Sequence, residues 1–96
     1  MPTYETTATF RRDYERLTIE QRAAFKAAVA KFVHDLKRGA FRKGLRVKRV
    51  QDREGVWEMT WAPDGRATFE YGQPRRPGDP HIIWRRVGGH EIFEER

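Results

Sequence analysis

The sequence predicts an α+β domain: two N-terminal helices packed on one face of a twisted antiparallel sheet of about four strands. Three observations carry the prediction. An apolar stripe of helical period runs through residues 25–36, residues 57–71 alternate greasy and polar side chains around a turn, and the helical pattern lies wholly before the run of strands.

In chain order, "YETTATF" is Thr-rich and half-alternating, which suits an edge strand, and "RRDYERL" reads as a short helix with Tyr14 and Leu17 on one side. Thr18 followed by Gln21 fits a capping box, in which the hydroxyl and the amide satisfy free N–H groups at a helix start. Phe25, Ala28, Val29, Phe32, Val33 and Leu36 then form the stripe of the second helix. Lys37 and Arg38 suit its negative end and Gly39 its left-handed stop. A basic amphipathic helix can lie on a membrane, but this stripe is broad and contains alanine, so packing on a sheet is expected.

After the loop "GAFRKG", "LRVKRV" reads as a strand with Leu45 and Val47 on one side and Arg46 and Lys48 on the other. Val50 breaks the alternation, so a bulge or strand end is expected near Arg49. "QDREG" is a turn. Residues 57–71 make a hairpin whose tip, "APDG", joins a residue with preset φ to one that tolerates positive φ. "GQPRRPGDP" is a loop, and "HIIWRRV", apolar on both faces, is a central strand. The helices should cover Trp57, Met59, Trp61 and Phe69. Glu58, Thr60, Arg66 and Thr68 then stand on the uncovered face with Arg46 and Lys48.

The 96 residues form one domain, 1–96, with 38% hydrophobic and 35% charged side chains. Cysteine is absent, which removes disulfides and thiolate metal sites, and serine is absent, which removes a serine nucleophile. No apolar run approaches the roughly 20 residues of a membrane span, and the N-terminus lacks a secretory layout. A cytoplasmic protein that requires no membrane, metal or cofactor is expected. The net charge of +6, from 20 Lys and Arg against 14 Asp and Glu, favours an anionic partner such as nucleic acid, though it also serves solubility.

The histidines are not at metal-ligand spacing. His34 beside the helix stripe reads as solvated, and His81, opening a strand, as structural or exposed. His90 follows two glycines at a strand end, where side chains are commonly aimed into a site. Cutting RNA without a metal requires a base for the 2′-OH proton, cations on the phosphoryl oxygens and an acid for the leaving 5′-oxygen. Arg66 supplies a planar fork, Lys48 and Arg46 supply field, and Glu58 or His90 can exchange protons. A charged sheet face is also often merely wet.

The order "FVHDL", "LRVKRVQ", "GVWEMTW", "DGRATFEY", "IIWRRVGGHEIF" resembles the RelE/ParE superfamily of toxins from bacterial toxin–antitoxin pairs, in its RelE/HigB-like part. The resemblance spans nearly the whole chain. It implies neutralisation by an antitoxin protein, which the net charge of +6 predicts to be partly acidic, and cleavage of messenger RNA on the ribosome. Arg66 then matches the family's phosphate-contacting arginine, and His90 falls where many members place a histidine near the reacting phosphate. Glu58 becomes a second proton-transfer group, Lys48 a catalytic cation, and Arg46, Arg49, Arg85 and Arg86 hold the RNA. Two departures stand out. RelE-like members carry Lys-x-Lys where this chain has Glu58 and Thr60, and Phe93 lacks the hydroxyl of a terminal tyrosine that some members use. The other readings are a ParE-like inhibitor of gyrase and a non-catalytic RNA-binding member.

Overall fold

The computed structural model describes residues 2–93. The chain runs β1 (Thr3–Thr6), α1 (Ala8–Arg16), α2 (Ile19–Arg38), a 3₁₀ turn (Lys43–Leu45), β2 (Lys48–Arg49), β3 (Trp57–Thr60), β4 (Arg66–Tyr71), β5 (His81–Gly88) and a second 3₁₀ turn (His90–Phe93). The strands form one sheet in the order β1-β5-β4-β3-β2. The α+β class and the helices on one face are as expected, and β5 is central. The sheet has five strands instead of four, because residues 3–6 pair in parallel with residues 81–84. These segments come from opposite ends of the chain, so no hairpin dictates their direction.

Local chemistry sets the helix boundaries. Thr18 Oγ1 accepts from the Gln21 N–H at 3.1 Å and Gln21 Oε1 accepts from the Thr18 N–H at 2.8 Å, closing the expected capping box. Gly39 stops α2 at φ 84°. Phe25, Ala28 and Phe32 of α2 pack with Phe10 of α1 onto Met59, Ala67, Phe69 and Trp84 of the sheet. Phe32 is at the centre, edge-on to Phe69 with ring centroids 4.9 Å apart.

The strand read into "LRVKRV" is mostly not one. Leu45 ends a 3₁₀ turn and still reaches the core, Arg46 takes the left-handed φ of 48°, and only Lys48 and Arg49 pair with β3. The strand does end at Arg49, as the broken alternation predicts. A register shift lies elsewhere, between Thr68 and Phe69 of β4, where Arg85 is the extra residue on β5.

Helix α1 completes the edge of β5 beyond the end of β1. Thr7 N–H donates to Trp84 O at 3.1 Å and Thr7 Oγ1 to Arg85 O at 3.0 Å. Asp13 Oδ2 accepts from the Val87 N–H at 3.2 Å and from Arg86 Nε at 2.7 Å, and its Oδ1 accepts from Arg86 Nη2 at 3.2 Å. A buried carboxylate therefore takes the place of a missing strand.

Asp35, also buried, ties the end of α2 to the following loop. It accepts from the Arg42 N–H and Nε at 2.8 Å each and from Arg42 Nη2 at 2.9 Å. The hydrogen bonds from Arg42 hold its carboxyl far below the ordinary value of 3.8. On acidification the unfolded chain therefore takes up this proton first, so the stabilisation is complete above about pH 4 and is lost as the pH falls below it. Thermal unfolding followed from about pH 6 down to about pH 2 should show a shallower acid limb in Asp35→Asn than in the wild type. Parallel acid limbs would refute a role for the pair.

Candidate functional site

The helix-free face of the sheet carries two polar rows. Strand pairing places Lys48 opposite Glu58, Glu58 opposite Thr68, and Thr68 opposite Arg86, so these four cross the sheet side by side. The next row, Thr60–Arg66–Gly88, lies nearer the tip of the β3–β4 hairpin. Two residues along a strand separate the rows by roughly 6.5 Å.

Arg66 and His90 belong to the same end of this face. Arg66 pairs with Gly88, and the chain turns through Gly89 straight into His90. Asp64, in the hairpin tip, joins them: its Oδ1 lies 2.7 Å from His90 Nδ1. The hydrogen bond with His90 is the main cause that lowers the Asp64 carboxyl, and the charge of Arg66 adds to it. His90 is exposed and Arg66 half-buried, so both side chains can be reached.

The guanidinium of Arg66 is anchored on one side. Its Nη1 donates to Gly65 O at 2.9 Å, with longer contacts to Pro63 O at 3.3 Å and Ala62 O at 3.4 Å. Among the described residues Nε and Nη2 have no partner, which leaves the planar fork of an arginine oriented and open, the geometry suited to two phosphate oxygens. The tip that orients it is itself fixed by Trp61, whose Nε1 donates to Arg66 O at 2.9 Å and whose ring lies against Gly65.

The remaining expected residues are dispersed. Glu58 and Lys48 share a row on the bare face as predicted. Arg85 and Arg86 also face that side, where Arg85 Nη1 bonds Glu70 at 2.6 Å and Arg86 Nε bonds Asp13 at 2.7 Å. Arg49 pairs with Trp57 on the helix-bearing side and lies over its ring at 5.6 Å, away from the other groups. Arg46 is exposed but outside the sheet register, contrary to its expected place in a strand. Thr68, expected to be uncovered, is only 5% exposed, because Val56 and Ile92 rise beside it to form a cleft of about 270 Å³. Of the other histidines, His34 is exposed, and His81 is buried between Thr3 Oγ1 at 2.7 Å and Glu5 Oε1 at 2.8 Å, a structural position.

No protein-family model and no curated protein matches the sequence. Solved structures do match. A chain of the Escherichia coli DinJ–YafQ toxin–antitoxin complex superposes with a TM-score of 0.70 at 11% identity, over 95% of this chain and 94% of that one. The YoeB/ParE toxin from Agrobacterium tumefaciens gives 0.66 at 15% identity, over 92% and 98%. The RelB–RelE antitoxin–toxin complex from Methanococcus jannaschii gives 0.60 at 16% identity, over 94% of each chain. The protein has the RelE-type toxin fold.

Within this RelE-type fold, sequence reading missed Asp64 and Asp13. Asp64 was absorbed into a turn signal, since Pro-Asp-Gly explains itself without a second role. Its offset of two residues from Arg66 across a hairpin tip was the available clue. Asp13 carried no signal, because its partners lie 73 and 74 residues away.

Proposed function

We propose that this chain is the toxin of a bacterial toxin–antitoxin pair, a cytoplasmic, metal-independent endoribonuclease that cuts messenger RNA on the ribosome and is neutralised by a partly acidic antitoxin. The observation that carries the reading is the open fork of Arg66 beside the His90–Asp64 pair at one end of a helix-free sheet face. The RelE-type fold and the net charge of +6 support it.

In this chemistry the 2′-oxygen of a nucleotide attacks its own 3′-phosphate and the bond to the next 5′-oxygen breaks. Arg66 compensates the charge that gathers on the equatorial oxygens. His90 exchanges a proton with the reacting oxygens through Nε2, because Asp64 holds Nδ1. Glu58, one row away, is the second proton-transfer group, with Lys48 beside it supplying positive field. Phe93 transfers no proton. Its ring lies 6.3 Å from that of His90.

Induced expression in a bacterium followed by primer extension of total messages tests the reading. Breaks within translated regions are expected. Intact messages together with DNA-damage signalling would place the chain with gyrase inhibitors instead.

The orientation of His90 has its own test. A Cβ on Gly89 would come within 2.7 Å of Asp64 Oδ2 and 2.6 Å of Glu91 Oε2, both ends of flexible side chains, and 3.3 Å from the Asp64 carbonyl oxygen, in an exposed turn that must yield by a few tenths of an ångström. Gly89→Ala should therefore leave thermal stability nearly unchanged while displacing Asp64 from His90. Gly89→Ala and Asp64→Asn are each expected to slow cleavage about tenfold, and the double variant no further, because both remove one interaction. Additive losses would separate Asp64 from His90.

A further inference from the structure

Beside the Arg66 row, the cleft floored by Thr68 has the chemistry of an anion site. Thr7 and Thr9, at the N-terminus of α1, form one wall, and Arg53 stands across from them. Of the first N–H groups of α1, that of Phe10 is taken by Thr7 Oγ1 at 3.1 Å. Those of Ala8 and Thr9 have no acceptor among the described residues, as expected for a helix start. No acidic residue occupies the first turn, so the positive end of the helix is uncompensated. Among the described residues lining the cleft there is no carboxylate. Arg85, on the same wall, is partly neutralised by Glu70, whereas Arg53 has no ion-pair partner among the described residues.

A helix end alone would be unremarkable. The second observation is Thr68, which is 5% exposed, lines the cleft, and has no hydrogen-bond partner for its hydroxyl among the described residues. No fully sealed side-chain polar atom among those residues lacks a partner, so this hydroxyl opens on the cleft. Buried hydroxyls are nearly always satisfied, and one left open beside a helix N-terminus and an arginine with no ion-pair partner among the described residues points to an acceptor supplied from outside.

We propose that this cleft binds a second backbone phosphate of the RNA strand, held by the N–H groups of Ala8 and Thr9, the Thr68 hydroxyl and Arg53. The RNA identity of the ligand rests on the ribonuclease reading, whereas the phosphate chemistry does not. Thr68 and Arg66 stand two residues apart on one face of β4, roughly 6.5 Å, on the scale of neighbouring phosphates in a single strand. The strand thus crosses the sheet with one phosphate at Arg66 and the adjacent one in the cleft, which fixes the register of the bond that breaks.

The test uses the full chain in two arms. In the first, inorganic phosphate is titrated and amide resonances are followed by NMR, and saturable shifts are expected at Ala8, Thr9 and Thr68. In the second, a 2′-O-methyl RNA trinucleotide, which cannot be cut, is titrated against the wild type, Thr68→Val, Thr68→Ser and Arg53→Gln. Thr68→Val keeps the shape and removes the hydroxyl, so affinity should fall about tenfold, while Thr68→Ser should bind like the wild type. Arg53→Gln should also lower the dependence of binding on salt by about one counterion. Phosphate that leaves the Ala8 and Thr9 resonances unmoved, or Thr68→Val that binds RNA as the wild type does, overturns the subsite. The two readings fail separately. Phosphate shifts at these amides with intact messages in cells would retain the subsite and remove the ribonuclease, whereas cut messages with a fully active Thr68→Val would do the opposite.

Discussion

Arg66→Ala should abolish the growth arrest that the proposed function predicts on expression in a bacterium, and should lower the rate of message cleavage by about 10²–10³, the usual cost of one preorganised donor to a developing anion. Arg66 is already held by the carbonyl oxygens of the hairpin tip, so little reorganisation accompanies the reaction. Arg66→Lys should recover only part of the activity, because a single ammonium restores charge but not the two parallel donors. The side chain packs against an exposed turn, so circular dichroism and the melting temperature should stay close to wild type in both variants. Arg66→Ala arresting growth as the wild type does would remove the proposed chemistry altogether.

Asp13→Ala should cause the largest loss of stability. The substitution takes the Asp13 carboxylate from the Arg86 guanidinium, whose side chain is 18% exposed, and removes the acceptor of the Val87 N–H. Breaking a buried pair by removing one partner costs about 3 kcal/mol. In a domain of this size that lowers the melting temperature by roughly 12–24 °C. Asp13→Asn keeps an oxygen for the Val87 N–H but loses the charge, and should fall between Asp13→Ala and the wild type. A melting temperature for Asp13→Ala within a few degrees of wild type would show that α1 is held to β5 by its apolar side chains alone.

Much of this fold was legible because its signals are local. The stripe of α2, the Thr18–Gln21 box, the Gly39 stop and the Pro-Asp-Gly turn each involve residues close in sequence, where period and backbone preference act directly. Long-range partnership was not legible. The parallel pairing of β1 with β5 and the Asp13–Arg86 clamp depend on which distant segment arrives where. Arg46 was misplaced because an alternating pattern cannot distinguish a strand from a turn that also drops one leucine into the core. At the candidate site, alternation placed Arg66, Glu58 and Lys48 on the helix-free face, and the two glycines before His90 placed it at a strand end. The pairing that qualifies Arg85 and Arg86, and the covering of Thr68 by Val56 and Ile92, emerge only from the assembled sheet.

The position of β5 has a consequence for how the protein is made. It lies between β1 and β4, yet among the described strands it comes latest in sequence. Until residues 81–88 have left the translating machinery, the first strand has no neighbour and the hairpin has an open flank. A nascent chain therefore cannot assemble this sheet piece by piece; it must wait for residues 81–88 and then close in one long-range event.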